Sequence, residues 1–150
     1  MLAIMAVLMA SACLGACSKG NSCDGQPASK HATAPRIEAL SLLRQVTSDP
    51  WTLVFEVKFT DADGDLGGGT AEFFMERKTP AAVTMSLAEM FQRSEVDLAA
   101  SSGELGLPLR FKDTVPNGQD VDLELQMIDV KGQRSNCYQV SLHFDVTESE

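Results

Sequence analysis

Trp51-Thr52-Leu53-Val54-Phe55-Glu56-Val57-Lys58-Phe59-Thr60 places Trp51, Leu53, Phe55, Val57 and Phe59 on one phase and mostly polar residues on the other. Successive side chains of an extended chain point to opposite faces, so this stretch predicts a strand with one buried face. Three runs downstream repeat the period: Leu105, Leu107, Leu109 and Phe111; Val121, Leu123, Leu125 and Met127; and Tyr138, Val140, Leu142, Phe144 and Val146. Weaker strands are read over residues 36–43 and 70–78. Over 82–99, Val83, Met85 and Leu87 alternate, while Ser86 and Glu89 have the spacing of a helix capping box. A strand passing into a short helical turn is expected there. Turn chemistry at Ser48-Asp49-Pro50, Asp63-Gly64, Ser102-Gly103, Pro116-Asn117-Gly118 and Lys131-Gly132 separates these segments. About seven short strands so spaced predict an all-β fold, a single antiparallel β-sandwich over residues 36–150.

Inside that frame, Asp129-Val130-Lys131-Gly132-Gln133-Arg134-Ser135-Asn136 is similar to the D-x-x-G-N-x-S hairpin before the last strand of bacterial immunoglobulin-like and fibronectin-III-like domains. Gln133 stands where Asn is usual. The resemblance implies an Ig-like β-sandwich, and it speaks to fold rather than to function.

Upstream the character of the chain changes. Residues 1–16 carry no charged side chain and are mostly Leu, Ile, Val, Met and Ala, whereas every Lys, Arg, Asp and Glu lies beyond Cys17. The apolar run is short of the roughly 20 residues that a membrane-spanning helix needs, so it reads as the core of a signal peptide. The junction Leu14-Gly15-Ala16-Cys17 resembles the lipobox of bacterial lipoproteins, although the basic residue usual near the start of such leaders is absent. That resemblance implies cleavage before Cys17, a diacylglyceryl group on its thiol and, often, palmitate-type acylation of the new amine. Two or more acyl chains give stable attachment to a lipid bilayer. Ser18, rather than Asp, follows the cysteine, which by the same resemblance favours the outer membrane over the inner one. Residues 17–35 are rich in Ser, Lys, Gly, Asn, Ala and Pro and read as a lipidated flexible tether.

The formal net charge of −9 falls entirely on the part beyond the leader and argues against a nucleic-acid partner. Of the four cysteines, Cys13 leaves with the leader and Cys17 is consumed by lipid. Cys23 and Cys137 remain. In the oxidising compartment of an exported protein such a pair tends to be bridged, the alternative being two free thiols.

Phe59-Thr60-Asp61-Ala62-Asp63-Gly64-Asp65-Leu66-Gly67-Gly68-Gly69 is the segment with the most chemical character. Alternate carboxylates followed by glycines suit a hard cation such as Ca2+, which takes several oxygens on a flexible backbone. Glu72 falls at the twelfth position of a helix-loop-helix calcium loop begun at Asp61, but Leu66 occupies the place of that loop's required Gly, so an EF-hand is not expected. Sandwich topology brings the loop after the strand at 51–60 and the loop after the strand at 121–128 to one end, which would set Asp129 beside Asp61, Asp63 and Asp65. The alternatives at this point are a Ca2+ site and a solvated Asp-Gly turn.

No cofactor other than this candidate Ca2+ is called for. The two histidines, His31 in the tether and His143 on the polar phase of the last strand, lack a neighbouring nucleophile or metal partner in sequence, so catalysis is not expected. Trp51 and Tyr138 would be the sugar platforms of a carbohydrate-binding module, yet both sit on the inward phase of their strands. The reading is therefore a membrane-anchored envelope lipoprotein with a non-catalytic binding domain, whose partner is an envelope protein or a glycan. A structural subunit of an envelope assembly is the alternative.

Overall fold

The computed structural model describes residues 5–11, 22–23, 26–46, 48–75, 83–110 and 119–147. The alternating stretch becomes β5 (Asp49–Thr60), paired antiparallel on one side with β4 (Arg36–Val46) and on the other with β8 (Ser102–Arg110). Leu53, Phe55, Val57 and Phe59 are all buried, as the period of two requires. They face a second sheet in the order β10-β9-β6-β7, made of β10 (Tyr138–Thr147), β9 (Gln119–Ile128), β6 (Thr70–Met75) and β7 (Val83–Ser86). The inner face of that sheet supplies Ala71, Phe73, Leu123, Leu125, Met127, Val140 and Leu142 to the same core. The Phe55 and Phe73 rings meet across the two layers at 5.9 Å. Burying each large side chain contributes about 1.5–3 kcal/mol, so this shared layer is what joins the sheets.

Among the described residues, seven antiparallel strands thus run from Arg36 to Thr147, arranged as an immunoglobulin-like sandwich, and the all-β expectation holds. The strand-to-helix passage read over 82–99 is β7 followed at once by α1 (Leu87–Arg93). Leu87, Met90 and Phe91 form the buried stripe of α1, with Phe91 5.1 Å from Phe59, so the helix plugs one end of the sandwich. The turn expected at Ser48-Asp49-Pro50 is displaced. Val46 pairs with Asp49, so Asp49 and Pro50 already belong to β5, near its start, where a missing N–H is tolerated.

Upstream of Arg36 the chain is more ordered than a tether. Cys23 is buried, and its segment forms a small ladder of β2 (Ser22–Cys23) with β3 (Gln26–Pro27). Ser29 exchanges two hydrogen bonds with Arg134: its N–H donates to the Arg134 carbonyl at 2.9 Å and its Oγ accepts the Arg134 N–H at 2.8 Å. Thr33 Oγ1 donates to Gln133 Oε1, and Pro35 is buried. A polar stretch with too little apolar surface to fold alone is fixed here by backbone and side-chain hydrogen bonds to the last hairpin. Further upstream, Met5–Ser11, the expected leader core, lies antiparallel along β10 as an edge strand, β1. Cys17 lies outside the described residues, as do Phe111 and the Pro116-Asn117-Gly118 turn.

Candidate metal centre

Two loops leave the same end of the sandwich. Asp61 directly follows β5, its N–H donating to the Ser101 carbonyl at 2.8 Å. The chain then turns at Gly64, whose φ of +68° belongs to the left-handed region, and a Cβ there would stand 2.5 Å from the Ala99 carbonyl oxygen. A 3-10 turn follows over Leu66–Gly68, anchored by the fully buried Leu66. Asp61 Oδ2 accepts the Leu66 N–H at 2.8 Å, which folds the loop back over its first carboxylate. At Gly69 the loop presses on the end of β9 so closely that a Cβ would lie 1.9 Å from the Ile128 carbonyl oxygen. The glycines therefore serve close packing, Gly64 against the segment after α1 and Gly69 against the end of β9, more than flexibility.

The second loop is the hairpin between β9 and β10. Asp129 Oδ1 accepts the N–H groups of Lys131 at 2.9 Å and Gln133 at 2.8 Å, an Asx-type turn closed by Gly132 at φ +79°. Asp129 is 4% exposed and Asp61 1%.

Because Gly69 locks one loop against the other, the carboxylates of Asp61, Asp63, Asp65 and Asp129 converge, with one ligand oxygen of each within 4.8 Å of all the others. The four residues that sequence reasoning nominated are brought together. What the sequence did not disclose is how their oxygens divide. One oxygen of Asp61 and one of Asp129 are spent on backbone N–H groups, while Asp61 Oδ1, Asp129 Oδ2 and Asp65 Oδ1 are buried with no hydrogen-bond partner. Nor was Lys131 nominated. Its Nζ lies 2.5 Å from Asp63 Oδ2 and 3.0 Å from Asp65 Oδ2.

The electrostatics follow from this division. Burial, reinforced by the charge of Asp63 and opposed by the Leu66 N–H, pushes the Asp61 carboxyl above the usual carboxylate range. The Lys131 hydrogen bond holds Asp63 below that range, and Asp63 and Asp65 together raise the Lys131 ammonium well above its ordinary value. A buried carboxylate oxygen without a donor costs roughly 1–3 kcal/mol or more, and like charges at this separation repel. An all-oxygen cluster of this kind suits a hard divalent ion, Ca2+ above all, and offers no soft ligand for zinc or copper.

The remaining nominated residues are elsewhere. Glu72 is on β6, where its Oε2 accepts from Arg134 Nη1 at 3.1 Å, so it takes no part in the cluster. Cys23 and Cys137 are joined in a disulfide, Cα to Cα 5.2 Å. His143 Nδ1 pairs with Asp120 Oδ1 at 2.6 Å on the open face of the sheet, and His31 is exposed. Tyr138 packs against the core; the Trp51 side chain lies outside the described residues.

No family model and no curated protein matches the sequence. Among solved structures, a Niemann-Pick type C2 protein from Japanese carpenter ant is similar in fold, with a TM-score of 0.50 over 72% of this chain and 90% of that one. The two sequences are 12% identical, so the likeness is one of fold alone.

Proposed function

We propose that this chain is an exported, lipid-anchored envelope protein whose immunoglobulin-like domain is a non-catalytic binding module, with a Ca2+ held between its two acidic loops. The observation that carries the cation is the gathering of Asp61, Asp63, Asp65 and Asp129 together with the buried, unpartnered oxygens on Asp61, Asp65 and Asp129. Cation binding is the chemistry that satisfies all of them at once.

Anchoring rests on Leu14-Gly15-Ala16-Cys17 at the end of an uncharged apolar run. The Cys23–Cys137 disulfide supports it indirectly, since such bonds persist in the oxidising compartments that exported proteins reach. Cleavage before Cys17 removes β1 and leaves β10 as the edge of its sheet. With Cys23 bridged to the start of β10, the free chain between lipid and domain is short, about 20 Å when extended. The acidic end is then held close to the bilayer. Ser18 after the cysteine favours the outer membrane over the inner one. The partner of such a module is an envelope protein or a glycan.

Intact-mass analysis of the protein from membranes tests the anchor. The expected mass lacks residues 1–16 and carries acyl chains and one disulfide, and a mature protein without acyl chains would overturn it. Calorimetric titration with Ca2+ tests the cation. Neither heat nor a thermal shift at millimolar ion would end that part of the reading.

A further inference from the structure

The cluster is not a bare nest of carboxylates, because one cation already reaches it. Lys131 spans Asp63 and Asp65, while Asp61 and Asp129 each accept a backbone N–H. Its own N–H is fixed to Asp129 Oδ1, so the turn that presents Asp129 also fixes the base of the lysine. The side chain beyond is 56% exposed and ends on the open side of the cluster. Arg134 is not a substitute, being committed to Glu72 and Gln126.

One ammonium does not satisfy the cluster. Asp61 and Asp129 are more than nine-tenths buried, and Asp61 Oδ1 and Asp129 Oδ2 have no donor, in a cluster where each residue brings a carboxylate oxygen within 4.8 Å of the others. A divalent ion that reached these inner oxygens would also need Asp63 and Asp65, the pair that the lysine holds.

We propose that Lys131 is a tethered counter-ion: it stands on Asp63 and Asp65 in the ion-free protein and swings out when Ca2+ binds, thereby setting the affinity of the site. This rests on the calcium reading above and concerns its regulation. Lys131 has two effects of opposite sign. Without the ion it relieves repulsion among the carboxylates and helps the loops stay packed. In the presence of the ion it is a competitor, so the site fills at higher Ca2+ than its carboxylates alone would require. A lysine that merely decorated the surface would do neither.

Two measurements on the full chain in detergent test this. Calorimetric titration of wild type, Lys131→Gln and Lys131→Arg, each stripped with EGTA, should show Gln binding Ca2+ about tenfold more tightly and Arg close to wild type. The melting temperature of the Gln protein in EGTA should be lower than that of wild type. Equal affinities for wild type and Gln would overturn the proposal while leaving a calcium site in place, and no binding by wild type would remove the calcium reading and this one with it. Should the Gln variant not fold, wild type alone decides by amine labelling read by mass spectrometry. Ca2+ should speed modification of Lys131 severalfold and leave Lys58, which pairs with Glu104 and not with the cluster, unchanged. Labelling of Lys131 that is unchanged or slowed by Ca2+ would refute displacement.

Discussion

Replacing Cys23 and Cys137 together by Ala opens a ring that closes residues 114 apart in sequence, nearly the whole sandwich. In the chain-entropy account a crosslink removes closure entropy from the unfolded ensemble, and a ring of this size corresponds to about 5 kcal/mol at 25 °C. Alanine is the right substitution because Cys23 is fully buried, and a serine hydroxyl there would add a desolvation cost of its own. The loss is comparable with the whole stability of many domains, about 5–15 kcal/mol. Urea unfolding of the full chain in EGTA, followed by circular dichroism, should therefore show a midpoint far below that of wild type. The slope of free energy against urea should also rise, since the opened chain exposes more surface when unfolded. A loss below about 1 kcal/mol would refute the reasoning. A large loss with an unchanged slope would move the effect from the unfolded chain to contacts of the native hairpin.

Phe55→Ala should cost about 3–5 kcal/mol in chemical denaturation, because it empties the centre of the layer shared by the two sheets. Gly69→Ala should weaken Ca2+ binding and lower the melting temperature together, since its Cβ would drive the acidic loop off the Ile128 carbonyl; an unchanged titration curve would contradict the role given to that contact. Asp129→Asn retains an acceptor for the Lys131 and Gln133 N–H groups while removing one of the converging charges. It should bind Ca2+ at least roughly tenfold more weakly, with an EGTA melting temperature no lower than that of wild type. A fall in ion-free stability would mean that the carboxylate serves the hairpin alone.

Much of this architecture was legible before any coordinates. The phases of Leu53 to Phe59, of Leu123 to Met127 and of Val140 and Leu142 are those of strands buried on one face, and burial on one face is what a sandwich imposes. The convergence of Asp129 on the Asp61 loop followed from topology, because strands at equivalent places in the two sheets deliver their loops to one end. Other features leave no periodic trace. The docking of Ser29 and Thr33 on the last hairpin depends on hydrogen bonds between residues about a hundred positions apart, in a stretch whose composition signals only a linker. The apolar segment Met5–Ser11 is equally compatible with a helix or a strand, and its pairing with β10 depends on an open sheet edge that its own sequence does not mention. Lys131 is a single lysine in a turn, and nothing but three-dimensional proximity distinguishes it from any solvated one. Gly69 matters for the atom it faces, not for a backbone angle, so its role was hidden as well.

The link between Cys23 and Cys137 also has a mechanical meaning. Tension applied to the chain upstream of Cys23 divides there and enters the fold at Cys137, at the start of β10, so the residues between the two cysteines lie off the load path. They form a slack loop of roughly 400 Å of contour that cannot be paid out while the bond is intact. What can extend is the short stretch from Cys137 onward. Pulled between a point upstream of Cys23 and the end of β10, the chain carries the load through the disulfide into β10, whose lateral hydrogen bonds to β9 resist it.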